Sequence, residues 1–158
     1  YSGVHVLPSH YEFNRAELVL RSSEARNISW HGEADVGGFF DGYRVRLFNQ
    51  VTWKPNKHIL LGAGLSYNDI ELSGGEFITR LGTFKANFAF NSKWSLLNFV
   101  QYDNVSDSAA INTRLKWQPK PGDEYIFIAN YGADIGEKGQ IYSREHELVL
   151  KASRTVRF

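Results

Sequence analysis

Apolar and polar residues alternate with a period of two over long stretches of this chain. In residues 111–118 the odd positions carry Ile, Thr, Leu and Trp, whereas the even positions carry Asn, Arg, Lys and Gln. Residues 43–54 and 147–158 follow the same pattern, although Arg154 falls on the apolar side. Successive side chains of a β-strand point to opposite faces of a sheet, so the pattern predicts strands with one apolar and one polar face.

The alternation and the intervening turn residues predict about nine strands. They are placed at residues 12–23, 27–39, 42–54, 57–70, 76–91, 93–104, 108–119, 122–132 and 143–158. Most reach the roughly 9–11 residues that a tilted strand needs to cross a bilayer, whereas strands of soluble proteins usually have roughly five or six residues. The predicted fold is all-β, an antiparallel transmembrane β-barrel, with residues 1–158 forming a single outer-membrane barrel domain or the C-terminal portion of a larger one.

The connections between these strands fall into two alternating sets. One set is tight and polar, at residues 22–27, 54–57, 91–93 and 118–123; the other lies at 40–42, 71–75, 104–109 and 133–143, the last being the longest. Bacterial barrels have short periplasmic turns and longer external loops, so the two sets are predicted to lie at opposite rims. Residues 41–42 would form a very short external loop.

Aromatic residues are predicted to mark both rims on the apolar faces. Near the tight turns lie Trp30, Trp53, Trp94 and Trp117, and near the opposite strand ends lie Tyr43, Tyr67, Tyr102 and Tyr131. Amphipathic rings prefer the headgroup level of a bilayer, so the pattern predicts two membrane girdles. The alternative is that the tryptophans are ordinary core residues of a soluble protein.

The final segment, HELVLKASRTVRF, resembles the last strand of outer-membrane barrel proteins, which the barrel-assembly machinery recognises. Lys151 resembles the polar position of that signal, and Ser153 resembles the small position, which is usually glycine. Val156 and Phe158 resemble its hydrophobic positions. The resemblance implies the assembly machinery and outer-membrane lipid as partners.

A more specific resemblance covers residues 37–132. It is carried by GGFFDGYRVRL, LSYNDIELSGGEFITRL and NFVQYDNVSDSAAINTRLKWQPKPGDEYIFIANYG. These segments resemble the C-terminal barrel of large bacterial outer-membrane proteins that carry an N-terminal family 9 carbohydrate-binding-like domain. In that family the barrel is a domain of unknown function. The resemblance implies localisation in the bacterial outer membrane, with an upstream domain and further strands of the same protein as partners.

Charged residues of the polar faces are predicted to line the lumen. They are Glu33, Asp35, Arg44, Arg46, Lys85, Arg114, Lys116 and Glu147. Two interpretations stay open: salt bridges across a narrow or plugged lumen, or a basic ring that favours anions. His31, Glu33 and Asp35 share a face and could also form a metal or acid–base cluster. The prediction is that they are ordinary lumen residues, with no metal and no cofactor.

Composition excludes several functions. The net charge is +1, so nothing indicates nucleic-acid binding, and the absence of cysteine excludes disulfides and thiolate metal sites. The leading hypothesis is a membrane domain of a larger surface protein, involved in saccharide binding or passage, and not an enzyme. The alternatives are a soluble lipocalin-like ligand-binding barrel and an outer-membrane enzyme that would use His146 with Ser106, Ser108 or Ser143.

Overall fold

Nine β-strands make up the fold in the computed structural model, which describes residues 9–136 and 140–155. The strands are β1 (Arg15–Arg21), β2 (Ile28–Phe39), β3 (Gly42–Asn56), β4 (Ile59–Leu72), β5 (Gly75–Ala89), β6 (Trp94–Asp103), β7 (Ser108–Trp117), β8 (Asp123–Ile135) and β9 (Ile141–Arg154). Each strand pairs with the next one in antiparallel orientation, giving one sheet in the order β1 to β9. The described residues contain no helix. The predicted nine-stranded antiparallel all-β fold is confirmed.

The predicted strand ends needed correction at several turns. The connection predicted at 133–143 is shorter, because Ile135 still pairs with Ile141, beyond a register shift at Gly132 and Ala133. The connections at 54–57 and 71–75 shrink to two residues each, at 57–58 and 73–74. The first strand is shorter than predicted and spans Arg15–Arg21. Asn56 and Gly75 were counted as turn residues, although Asn56 ends β3 and pairs with Ile59, and Gly75 begins β5 and pairs with Leu72.

The register sorts the side chains onto two faces, because directly paired residues share a face. Trp30, for example, pairs with Val51, which pairs with Ala63. The apolar face carries Leu18, Leu20, Trp30, Leu47, Val51, Leu65, Phe84, Val100, Ile111, Phe127, Leu148 and Leu150. The polar face carries Glu33, Asp35, Arg44, Arg46, Asn68, Lys85, Asn112, Arg114, Lys116, Asn130 and Glu147.

The sheet does not enclose a conventional hydrophobic core. Among the described residues, only Ile70, Ala86, Ile126 and Ala133 are buried hydrophobic residues. Large apolar side chains remain exposed, Leu65 to 51% and Leu150 to 75%. The accessible surface is 11464 Å², whereas a compact monomer of this mass exposes about 8,000 Å². The difference indicates a sheet whose apolar face is not covered by other described residues.

The two outer strands of the sheet are open edges. Among the described residues, β1 pairs only with β2, and β9 pairs only with β8. Eight antiparallel steps separate β1 from β9, so the two edge strands run in the same direction. A direct pair between them would therefore be parallel, in a sheet that is antiparallel throughout.

Glycine is required where β3 begins. A Cβ at Gly42 would overlap the backbone carbonyl oxygen of Glu71, and backbone cannot move aside cheaply. At Gly82 in β5 an added Cβ would meet nothing within 4 Å.

We expect Gly42→Ala to lower the free energy of unfolding by about 1–3 kcal/mol through overpacking. Gly82→Ala, the matched control, should be neutral or raise it by about 0.5–1 kcal/mol through reduced chain entropy. Denaturant titration measures both, and equal effects would contradict the close approach at Gly42.

Candidate functional site

The four tryptophans lie on the apolar face, near strand ends that lead into the same set of turns. Trp94 begins β6 and Trp117 ends β7, and the two are direct partners. Their ring centroids are 5.5 Å apart, and Trp117 stacks on Tyr125 of β8 at 5.1 Å. Trp30 and Trp53 lie at the same end of the sheet, near the start of β2 and the end of β3. Together they form an aromatic row along that end.

Trp30 is held flat against the sheet by a glycine and an amide. A Cβ at Gly32 would lie 2.7 Å from the Cη2 atom of the Trp30 ring, so the ring covers the space that a side chain would fill. The Trp30 Nε1–H donates a hydrogen bond of 3.2 Å to Oδ1 of Asn49 on β3. The indole therefore has its one donor satisfied while 39% of the residue remains exposed.

The four tyrosines of the predicted second girdle also lie on the apolar face. Tyr43 and Tyr102 are one residue from strand ends that lead into the opposite set of turns. Tyr67 and Tyr131 lie further inside β4 and β8. The Arg80 guanidinium lies 5.9 Å from the centroid of the Tyr67 ring. The tyrosines thus form a looser row than the tryptophans.

All eight predicted lumen charges lie on the polar face, and Glu33 forms the centre of a cluster there. Its side chain is 16% exposed. Its carboxylate lies 3.2 Å from Nη2 of Arg46, 3.6 Å from Nη2 of Arg21 and 2.9 Å from Nε2 of His31. Arg21 Nε also lies 3.0 Å from the same His31 nitrogen. One ring nitrogen either accepts or donates, so His31 bonds Arg21 when that nitrogen is unprotonated and Glu33 when it is protonated.

Asp35 and Arg44 form the most enclosed ion pair of the sheet. Arg44 Nη2 donates to Oδ1 of Asp35 at 2.7 Å, with side chains 17% and 11% exposed. The guanidinium carbon lies 4.8 Å from the Phe39 ring centroid. Arg44 Nε is buried and has no hydrogen-bond partner among the described residues. The pair therefore depends on one short charged bond and an aromatic face.

The remaining predicted lumen charges divide into paired and unpaired groups. Lys116 forms an ion pair with Glu124. Glu147 accepts a hydrogen bond of 2.7 Å from the Asn130 amide. The side chains of Lys85 and Arg114 make no ion pair or hydrogen bond with the described residues. Salt bridges thus account for part of the polar face only.

A cavity of about 360 Å³ opens on the polar face at the tryptophan end of β1 to β5. Its floor includes a row of direct partners from four adjacent strands. The row runs Ser29, Thr52, Gly62 and Lys85. Arg21, Glu24 and Lys54 also line it. The sequence pattern gave no sign of this cavity, because the row exists only once the register of three strand pairs is known.

The predicted assembly signal is described in part. Lys151 and Ser153 lie on the polar face of β9, opposite Ile126 and Glu124 of β8. Val156 and Phe158 lie outside the described residues.

The side-chain positions give little support to a metal site or to a Ser–His–acid set. His31, Glu33 and Asp35 share the polar face, yet no group of three or more His, Cys, Asp or Glu among the described residues could hold a metal ion. Ser143 Oγ lies 3.3 Å from Nε2 of His146 on exposed β9. No carboxylate of the described residues bonds His146, so the pair lacks the acid of a Ser–His–acid set.

Arg154, the exception in the alternation, has a partner on its own face. Its Nε lies 3.4 Å from Oδ1 of Asp123, the residue directly opposite on β8. The predicted turn at 118–123 and the predicted strand at 122–132 overlap at Asp123, and the register shows that this residue begins β8 and faces Arg154. A charge on the apolar face is thus compensated at the tryptophan end of the sheet.

Comparisons with known proteins add no family assignment. No protein-family model matches the chain, and neither curated proteins nor solved structures gave a match. The resemblance to barrels with an upstream carbohydrate-binding-like domain therefore stays a prediction. No helix of the described residues is long and apolar enough to cross a membrane.

Proposed function

We propose that this chain is part of the wall of a bacterial outer-membrane β-barrel, the membrane domain of a larger surface protein. The observation that carries the proposal is the exposed apolar face. Leu18, Leu65 and Leu148 are each at least half exposed, and aromatic rows flank the apolar residues at both ends. Water does not stabilise so large an apolar surface, whereas a bilayer with interfacial aromatic rings does.

Strand length agrees with this proposal. Eight of the nine strands contain 10–15 residues. A tilted strand needs roughly 9–11 residues to cross the hydrocarbon core. The polar face, with its ion pairs and amides, would then line the interior of the barrel.

The open edges indicate what the barrel still needs. Unpaired backbone groups of β1 and β9 are too costly in lipid, so additional strands must join both edges. Because β1 and β9 run in the same direction, an odd number of added strands completes an all-antiparallel barrel. The total is then even, as in bacterial single-chain barrels. We propose that the rest of the same protein supplies these strands.

The soluble lipocalin-like alternative requires the opposite arrangement of faces. Such a barrel encloses its apolar residues around a ligand. Here the cavity opens on the polar face, and the apolar residues are the exposed ones. Only the sequence resemblance supports a saccharide as the bound or transported solute. A similar fold does not specify a ligand.

Partitioning tests the proposal. We expect the chain to aggregate or lose β-structure in buffer and to show β-sheet circular dichroism in detergent micelles or liposomes. Supplying the missing strands from the same protein should add a heat-modifiable band on gel electrophoresis, which indicates a closed barrel. A monomeric, folded β-protein in buffer without detergent would contradict the proposal.

A further inference from the structure

We propose that the cavity between β1 and β5 on the polar face is a binding site for a small solute carrying a phosphate or carboxylate group. The inference goes beyond the proposed barrel and is argued from residues of β1 to β5 and the turn after β1. It rests on three features of the cavity: a glycine gap in its floor, uncompensated cations in its walls, and a volume suited to a small molecule.

The gap is created by Gly62 on β4. Thr52 on β3 and Lys85 on β5 flank this glycine as its direct partners. Neighbouring strands lie about 4.8 Å apart, so the backbones of Thr52 and Lys85 are about 10 Å apart with no side chain between them. A Cβ at Gly62 would lie 3.7 Å from the Lys85 Cβ and 4.0 Å from the Thr52 Oγ1, so an added atom there would be in ordinary van der Waals contact with both neighbours. An oxyanion fits between a hydroxyl and an ammonium group there.

The cations around the gap exceed the acidic groups. Arg21, Lys54 and Lys85 line the cavity, and Glu24 is the one carboxylate among the described residues that line it. Lys54 Nζ donates to the backbone carbonyl of Glu24 at 2.7 Å, a bond that leaves its charge uncompensated. Lys85 has no ion pair with the described residues. Arg21 is the exception, because it lies 3.6 Å from Glu33.

The chemistry of these groups selects the ligand class. Ammonium and guanidinium groups form short, charge-assisted hydrogen bonds with phosphate and carboxylate oxygens. Hydroxyl groups of Ser29 and Thr52 lie in the same row and can donate to further oxygens. The volume of about 360 Å³ falls within the roughly 300–1,000 Å³ of small-molecule sites. The cavity therefore accommodates an oxyanion together with the small molecule that bears it.

The test is calorimetric titration of the protein, folded in detergent micelles, with inorganic phosphate at about 0.1 M ionic strength, with circular dichroism confirming β-structure in every variant. We expect saturable binding by the wild type. Lys85→Gln removes one of the two uncompensated charges and should weaken binding at least about fivefold, since a single charge contact in a partly screened site is worth that much. Gly62→Val keeps every charge, places its Cβ no closer than 3.7 Å to a neighbouring atom, and should weaken binding similarly by filling the gap.

The matched control is Lys93→Gln. Lys93 lies in the turn before β6 at the same end of the sheet, outside the cavity lining. The Lys93→Gln substitution removes the same charge as Lys85→Gln and should change the affinity for phosphate less than about twofold, because exposed distant charges are screened by salt. Absence of saturable phosphate binding would overturn the proposal. So would equal weakening by Lys93→Gln and Lys85→Gln, or unchanged affinity in Gly62→Val.

Discussion

Replacing Leu65 by arginine is expected to lower the free energy of unfolding of the lipid-inserted protein by about 2–4 kcal/mol. Leu65 lies near the middle of β4 on the apolar face and is 51% exposed. If that face contacts hydrocarbon, the guanidinium is placed near the bilayer midplane, where hydration is lost. Urea titration of the protein in liposomes, followed by tryptophan fluorescence, measures the change.

The same substitution distinguishes a membrane face from a water-exposed one. On a soluble protein, a surface change of this kind alters stability by no more than about 0.5 kcal/mol. The control is Gln50→Arg, which puts the same side chain on an exposed position of the polar face in the middle of β3. We expect it to cost less than about 1 kcal/mol. Equal effects of the two substitutions would contradict the assignment of the faces.

Breaking the Asp35–Arg44 pair is expected to have the second largest effect. Arg44→Leu leaves a carboxylate that is only 11% exposed without its partner at 2.7 Å. Removing one partner of a fully buried pair costs roughly 3–5 kcal/mol. Because this pair retains some solvent contact, we expect a loss of about 2–3 kcal/mol in the free energy of unfolding, measured by denaturant titration.

Two further variants test whether the unpaired buried charge causes this loss of stability. In Asp35→Leu/Arg44→Leu no unpaired charge remains, so much of the lost stability should return. Arg144→Leu breaks the exposed pair with Asp134, whose side chains are 66% and 46% exposed. That change should cost less than about 1 kcal/mol. If the double variant is as unstable as Arg44→Leu, an unpaired buried carboxylate is not the cause.

The strands were predictable because the alternation of apolar and polar residues follows from the geometry of the strand backbone. Side chains alternate between faces in every strand, so a half-apolar sheet repeats that alternation in sequence. Strand ends were less predictable. Ile135 pairs with Ile141 beyond a register shift at Gly132 and Ala133. No local residue pattern predicts that shift.

The ion-pair partners were not predictable, because they depend on diagonal contacts. Arg46 is the direct partner of Asp35 in the register, yet it bonds Glu33, and Arg44 bonds Asp35 instead. The alternation predicts that these residues share one face, but it does not predict which arginine pairs with which carboxylate. The cavity is harder to predict, since a one-residue slip of β4 against β3 or β5 would move Gly62 away from Thr52 or Lys85.

The most direct test of the proposed lipid-facing surface compares two adjacent residues. The chain contains no cysteine, so Leu65→Cys and Ser66→Cys each introduce a single site for a spin label. These residues lie next to each other in β4 and point to opposite faces. In liposomes, the label at 65 should be accessible to oxygen and shielded from a water-soluble nickel reagent, whereas the label at 66 should show the reverse. A label at 65 that the nickel reagent reaches as readily as the label at 66 would contradict the account.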